Sequence, residues 1–133
     1  MTQTFVIFPK LPSMNDLISW RMSSAPGKGG KRWNRYSDEK RKWQADIQMQ
    51  VHAQKIKPVA GAVTVGLEWV ENAKRDPDNI SAGGRKLILD ALVAMGILKG
   101  DGHKHIAGFS ESFTLDRDPQ HHGVYVTLAE VRE

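Results

Sequence analysis

One stretch, Asn72 to Gly102, constrains this chain more than any other. At its centre, LILDALVAMGIL from Leu87 to Leu98 repeats apolar residues at helical spacing, with Leu87, Ala91, Ala94 or Met95 and Leu98 on one face. The segment predicts a largely buried helix. Asp76 and Asp78 precede it, Asp90 lies within it and Asp101 follows it, among Lys74, Arg75, Arg85, Lys86 and Lys99. Asp76, Asp78 and Asp101 fall at element ends, where side chains can converge without joining a core. Hard oxygen donors of that kind suit Mg²⁺ or Mn²⁺, since Mg²⁺ prefers one or two carboxylates completed by water and substrate phosphates.

Pro77 fixes its own φ and holds Asp76 extended, so Asp76 and Asp78 can point the same way. A plainer account is also open: Asp78 or Asn79 caps a helix, or DPDN is an ordinary turn. Gly83 and Gly84 together cost about 2 kcal/mol of helix propensity relative to alanine. The helix is therefore expected to begin near Gly84, or to break there. Lys86 and Asp90 stand four apart on a polar stripe. Gly96 weakens the last turn, and Lys99 to Gly102 (KGDG) is expected as a tight turn presenting Asp101.

Elsewhere the pattern is of short elements. Thr4–Phe8 reads as a strand closed by Pro9 and Pro12, and LPSMND after it reads as a turn. Residues 21–35 are rich in Gly, Ser and Lys/Arg and are expected as a mobile loop. Trp20 and Trp33 either stack on bases or pin that loop to the body. Ser37 is the expected N-cap of an amphipathic helix through Trp43, Ile47 and Val51, stopped by Pro58 and Gly61. Ala62–Val70 alternates as a strand, with Val63, Val65, Leu67 and Trp69 on one face and Glu68 on the other, and Gly66 marks a bulge or a close approach. His105–Phe113 and Val124–Leu128 read as a final pair of strands, plausibly a hairpin. His103 and His105 have strand-like spacing but are weak evidence for a metal site. The expected fold class is α/β (α+β): one domain over residues 1–133, a small mixed sheet packed with two main helices, in the order βαβαββ.

The formal net charge is +4, and its excess is local. Arg21, Lys28, Lys31, Arg32, Arg35, Lys40, Arg41 and Lys42 face only Asp38 and Glu39 between residues 21 and 42, so the rest of the chain is slightly acidic. A basic arm of this kind suits a polyanion, or else is a solvated loop. There is no cysteine, which excludes disulfides and thiolate metal sites and suits a reducing cytosol. No apolar run has the length of a membrane span, and the first residues lack the pattern of a signal peptide.

Asp76, Asp78 and Asn79, then Lys86, Asp90-Ala91-Leu92, Gly96 and Asp101, together form a pattern that resembles the RusA-type Holliday junction resolvases. Leu11-Pro12-Ser13-Met14-Asn15 resembles the proline-serine-asparagine segment that follows the first strand in that family. The resemblance implies a homodimeric, Mg²⁺-dependent crossover junction endodeoxyribonuclease acting in DNA recombination and repair. Such an enzyme resolves four-way DNA by paired symmetric nicks, leaving a 5′-phosphate and a 3′-hydroxyl. It implies Asp76, Asp78 and Asp101 as metal-binding catalytic carboxylates, Lys86 as a catalytic cation, and Asp90, Asn79 and Asn15 in support. Lys28, Lys31, Arg32, Arg35, Lys74 and Arg75 are the expected DNA contacts. The cytoplasm of a bacterium or of a phage-infected cell is the expected location. One departure is visible: Lys86 stands eight residues after Asp78, where the family places its lysine about one turn on.

Overall fold

The computed structural model describes residues 1–26 and 32–131. Its elements run β1 Thr2–Ile7, α1 Met14–Met22, β2 Ser24–Pro26, β3 Arg32–Asn34, α2 Arg35–Ala53, β4 Val63–Glu71, α3 Pro77–Ala94, β5 Ile106–Leu115, a 3₁₀ turn Pro119–His121, and β6 Gly123–Glu130. They form a single small α+β domain, a mixed four-stranded sheet with three helices. No helix among the described residues is long and apolar enough to cross a membrane.

The main sheet has the order β1-β6-β4-β5. β6 lies antiparallel between β1 and β4, and β5 runs parallel to β4 through the α3 crossover. The expected hairpin of the last two strands is therefore corrected. β5 occupies the outer edge, and the chain passes over β4 by the 3₁₀ turn to place β6 on its far side. There His122 Nε2 meets the Asp116 carbonyl at 2.8 Å, and His121 Nδ1 meets Asp116 Oδ2 at 2.8 Å. The alternation read in β4 is present. Val63, Val65, Leu67 and Trp69 are buried beneath the helices, while Glu68 is exposed and accepts from the Thr114 hydroxyl at 2.9 Å. No register shift falls at Gly66; the one between β4 and β5 comes between Val63 and Thr64, where β5 carries Ala107 as an extra residue.

Three expectations about local structure are also corrected. LPSMND is not only a turn. Ser13 caps α1 in a reciprocal box with Asp16, each side chain bonding the other's backbone N–H, and this gives a third helix that buries Leu17 and Trp20. The arm at 21–35 is ordered on both flanks, since Ser24–Pro26 pairs antiparallel with Arg32–Asn34. Its tip, with Lys28 and Lys31, lies outside the described residues. Trp20 pins the arm, whereas Trp33 is 43% exposed. Asn34, not Ser37, caps α2, accepting from the Tyr36 N–H at 2.8 Å.

The largest correction concerns Gly83 and Gly84, which neither delay nor break α3. The helix starts at Pro77 and runs unbroken to Ala94. A Cβ on Gly83 would collide with the Ser13 carbonyl carbon and stand 2.8 Å from the Pro12 oxygen. One on Gly84 would stand 2.6 Å from the Trp69 ring. The two glycines let α3 lie directly on the start of α1 and on the central strand. Packing of this closeness outweighs their weak intrinsic propensity, which is worth only about 1 kcal/mol each.

Candidate functional site

The N-terminal end of α3 gathers Asp76, Asp78, Asn79 and Asn15 among the expected residues. Asp76 is the N-cap residue by position, with extended backbone, yet its carboxylate makes no capping bond to the helix. Asp78 is exposed in the first turn, and its Oδ1 accepts from the Asn79 N–H at 2.9 Å. Asn79 Oδ1 accepts from the Asn15 N–H at 2.9 Å, joining segments 64 residues apart. Gly83 makes that junction possible by admitting the Pro12–Met14 backbone. The expected supporting pair Asn15 and Asn79 thus braces the ledge that carries Asp76 and Asp78.

Arg75 is committed to the same brace rather than free to track phosphates. Its guanidinium donates to Glu71 Oε1 at 2.8 Å and to the Leu11 carbonyl at 2.9 Å, and stands 3.8 Å from Asp16. Glu71 is 4% exposed, and the Arg75 guanidinium is the cation that meets it there. Lys74 is exposed beside it. Arg35 opens α2 half-buried, its N–H on the Ser23 carbonyl.

Asp101 lies at the other end of the molecule. It is exposed in the turn between α3 and β5. A parallel crossover returns the chain to the starting end of β4, as the pairing of Val63 with Ile106 and of Glu71 with Leu115 records. The 18-residue helix between the two acidic positions spans about 27 Å. One chain therefore does not bring Asp101 to Asp76 and Asp78. Among the described residues no three His, Asp or Glu side chains come together as a metal-holding group. Asp76 and Asp78 alone still offer two hard, solvent-facing oxygen donors, the partial set that Mg²⁺ accepts when water and phosphate complete its shell.

Lys86 stands about 12 Å further along the helix axis than Asp78. Its Nζ is 3.7 Å from Asp90 Oδ2, so the expected i, i+4 pair exists. The closer partner of Asp90 is Lys40 of α2, at 2.9 Å, a residue that sequence spacing alone had no means to assign to it. Its close contact with the Asp90 carboxylate is the main cause raising the Lys40 ammonium above its ordinary 10.5. A raised lysine contributes stability in full below its unfolded value and loses it only as pH climbs through the higher folded value, so this pair is intact at neutral pH. Lys40→Met should cost about 1–3 kcal/mol in urea unfolding at neutral pH, because Asp90 keeps only the longer contact to Lys86. An unchanged midpoint would contradict that bracing role.

No protein-family model matches the chain, and no curated protein does.

Proposed function

We propose that this protein is a homodimeric, Mg²⁺- or Mn²⁺-dependent endodeoxyribonuclease of the RusA type that resolves four-way DNA junctions. The observation that carries this reading is the ledge at the start of α3. There a proline-serine-asparagine segment and an Asp-Pro-Asp-Asn segment, far apart in sequence, are joined by the Asn15–Asn79 bond beneath two exposed carboxylates.

Asp76 and Asp78 are the groups that would hold a divalent cation there. Such a cation, when bound, offsets phosphate charge and lowers the pKa of a coordinated water. The chain's own part is to fix the backbone that carries the two carboxylates and to keep cations nearby. Asn79 orients Asp78 through its backbone N–H. Arg75 and Glu71 lock the loop that feeds the helix. Lys74 and the arm around Trp33 and Arg35 offer charge and an exposed aromatic to a DNA backbone, which positions a substrate without reading its sequence.

A second reading is favoured by one specific feature. Ala82 occupies the position one turn after Asp78, and Lys86 is drawn to Asp90. A protein that binds branched DNA but cuts it poorly would look like this. The deciding test is incubation of the chain with Mg²⁺ and either an immobile four-way junction or a linear duplex of the same arms. The proposal expects paired nicks at symmetric positions on opposed strands of the junction and none on the duplex. Salt-sensitive junction binding without nicks would select the second reading, and absence of both would end both.

A further inference from the structure

Two cations follow the acidic ledge along α3, and they leave the helix on different sides. Arg85 is seven residues after Asp78, about 20° short of two full turns, so the two share one side of the helix. Lys86 is rotated about 80° away from Asp78. It faces α2, where Asp90 draws its Nζ to 3.7 Å. Ala82, one turn after Asp78, puts only a methyl between the ledge and Arg85.

Arg85 is also drawn back along the helix toward Asp78. Helical side chains lean toward the N-terminal end, and here a carboxylate fixes that lean. Glu111 of β5 accepts from Arg85 Nη1 at 2.8 Å and from Ser81 Oγ at 2.9 Å on the same oxygen, Oε1. The guanidinium therefore ends close to Ser81, three residues after Asp78. The other oxygen of Glu111 accepts from Trp69 Nε1 at 2.8 Å, and Gly84 is what lets α3 rest on that indole ring. The guanidinium carbon lies 4.2 Å from the centre of the Phe109 ring, which supports one face of the fork. An arginine carries five N–H donors. Among the described residues Glu111 is the only acceptor that this guanidinium meets, and the side chain is 35% exposed.

We infer that Arg85, and not Lys86, is the cation that contacts the scissile phosphate beside Asp76 and Asp78, with Glu111 as its positioning residue. The extra turn of Ser81–Gly84 carries Lys86 away from the ledge, and the shared hold of Glu111 on Ser81 and Arg85 brings a positive charge back to it. A planar fork already fixed along one edge loses little further freedom on binding and still presents paired donors to phosphate oxygens. In that position it offsets the charge that develops on those oxygens as the bond to the leaving oxygen breaks. Lys86 instead joins Lys40 on Asp90, tying α3 to α2. The phosphate contact stands on the geometry of α3 and β5, while its catalytic meaning rests on the nuclease proposal.

Junction affinity measured against salt reads the contact without turnover, since one lost phosphate contact lowers the slope of log affinity on log salt by about 0.9. Arg85→Met should lose that much slope and cut about 10²–10³-fold more slowly in single turnover. The double variant Arg85→Met/Glu111→Gln, which leaves no unpaired carboxylate behind, should read the same. Lys86→Met should keep the wild-type slope and rate. Glu111→Gln should keep the slope and lose rate, because the guanidinium stays but is no longer held in place. An unchanged slope in both Arg85 variants, a lost slope with an unchanged rate, or losses confined to Lys86→Met would each overturn the assignment, and an unchanged rate in Glu111→Gln would strike its positioning role. Slope lost by Arg85→Met from a wild type that binds junctions and cuts none would leave the phosphate contact standing and remove the nuclease reading. Cutting that Arg85→Met leaves intact in slope and rate would do the reverse, and no salt-sensitive binding by wild type would end both.

Discussion

Asp76→Asn and Asp101→Asn should each reduce junction cutting by roughly 10²–10³-fold or more, the scale on which loss of one preorganised charge-stabilising group acts. Both substitutions keep side-chain shape. Neither removes a fold contact, because Asp76 makes no capping bond and Asp101 is exposed. Junction affinity in a gel shift should hold or rise, since a negative charge near phosphates is lost. Asp90→Asn is the contrasting case. It should lower stability through the Lys40 pair and leave cutting per folded molecule close to wild type. Cutting retained by Asp76→Asn in single-turnover assays would remove the carboxylate ledge from the chemistry.

Gly83→Ala should destabilise the protein by about 1–3 kcal/mol, the usual cost of overpacking. The sign is the informative part. A glycine in the interior of a helix normally loses about 1 kcal/mol relative to alanine, so on propensity alone the substitution would stabilise. Here the added methyl meets the Ser13–Met14 backbone, which has no rotamer by which to retreat. α1 must move away from α3, and the Asn15–Asn79 bond goes with it. Ala82→Gly next to it serves as the control, since it should lose only the propensity term. Urea unfolding of the two variants checks the difference, and a Gly83→Ala chain more stable than wild type would show that α1 does not sit where described.

How much of this was legible in the sequence varies by element. Period-two alternation in β4 and helical spacing in α2 and α3 were readable because each buries one face against the sheet. α1 was readable in principle from Ser13 and Asp16, a capping pair three apart, but the surrounding Pro, Ser and Asn signalled a turn more loudly. The glycine pair misled, because propensity knows nothing of a neighbour that requires bare backbone. The placement of β6 between β1 and β4 carries no local signal at all, and neither do the bonds by which Gln54 and Gln50 of α2 hold the Val6 and Phe8 backbone. Among the site residues, Asp76, Asp78 and Asn79 stand side by side in the sequence, whereas only the resemblance set Asn15 with them, and the bond that joins it to Asn79 has no local signal. The separation of Asp101 was not, since spacing along a chain does not reveal that a parallel crossover places its two ends apart.

Junction cutting by the wild-type chain beside its Asp76→Asn variant tests the central claim most directly. The account predicts Mg²⁺-dependent paired nicks from the wild type, and loss of nicking with junction binding retained in the variant. Equal nicking by the two chains would contradict a divalent cation held at the start of α3.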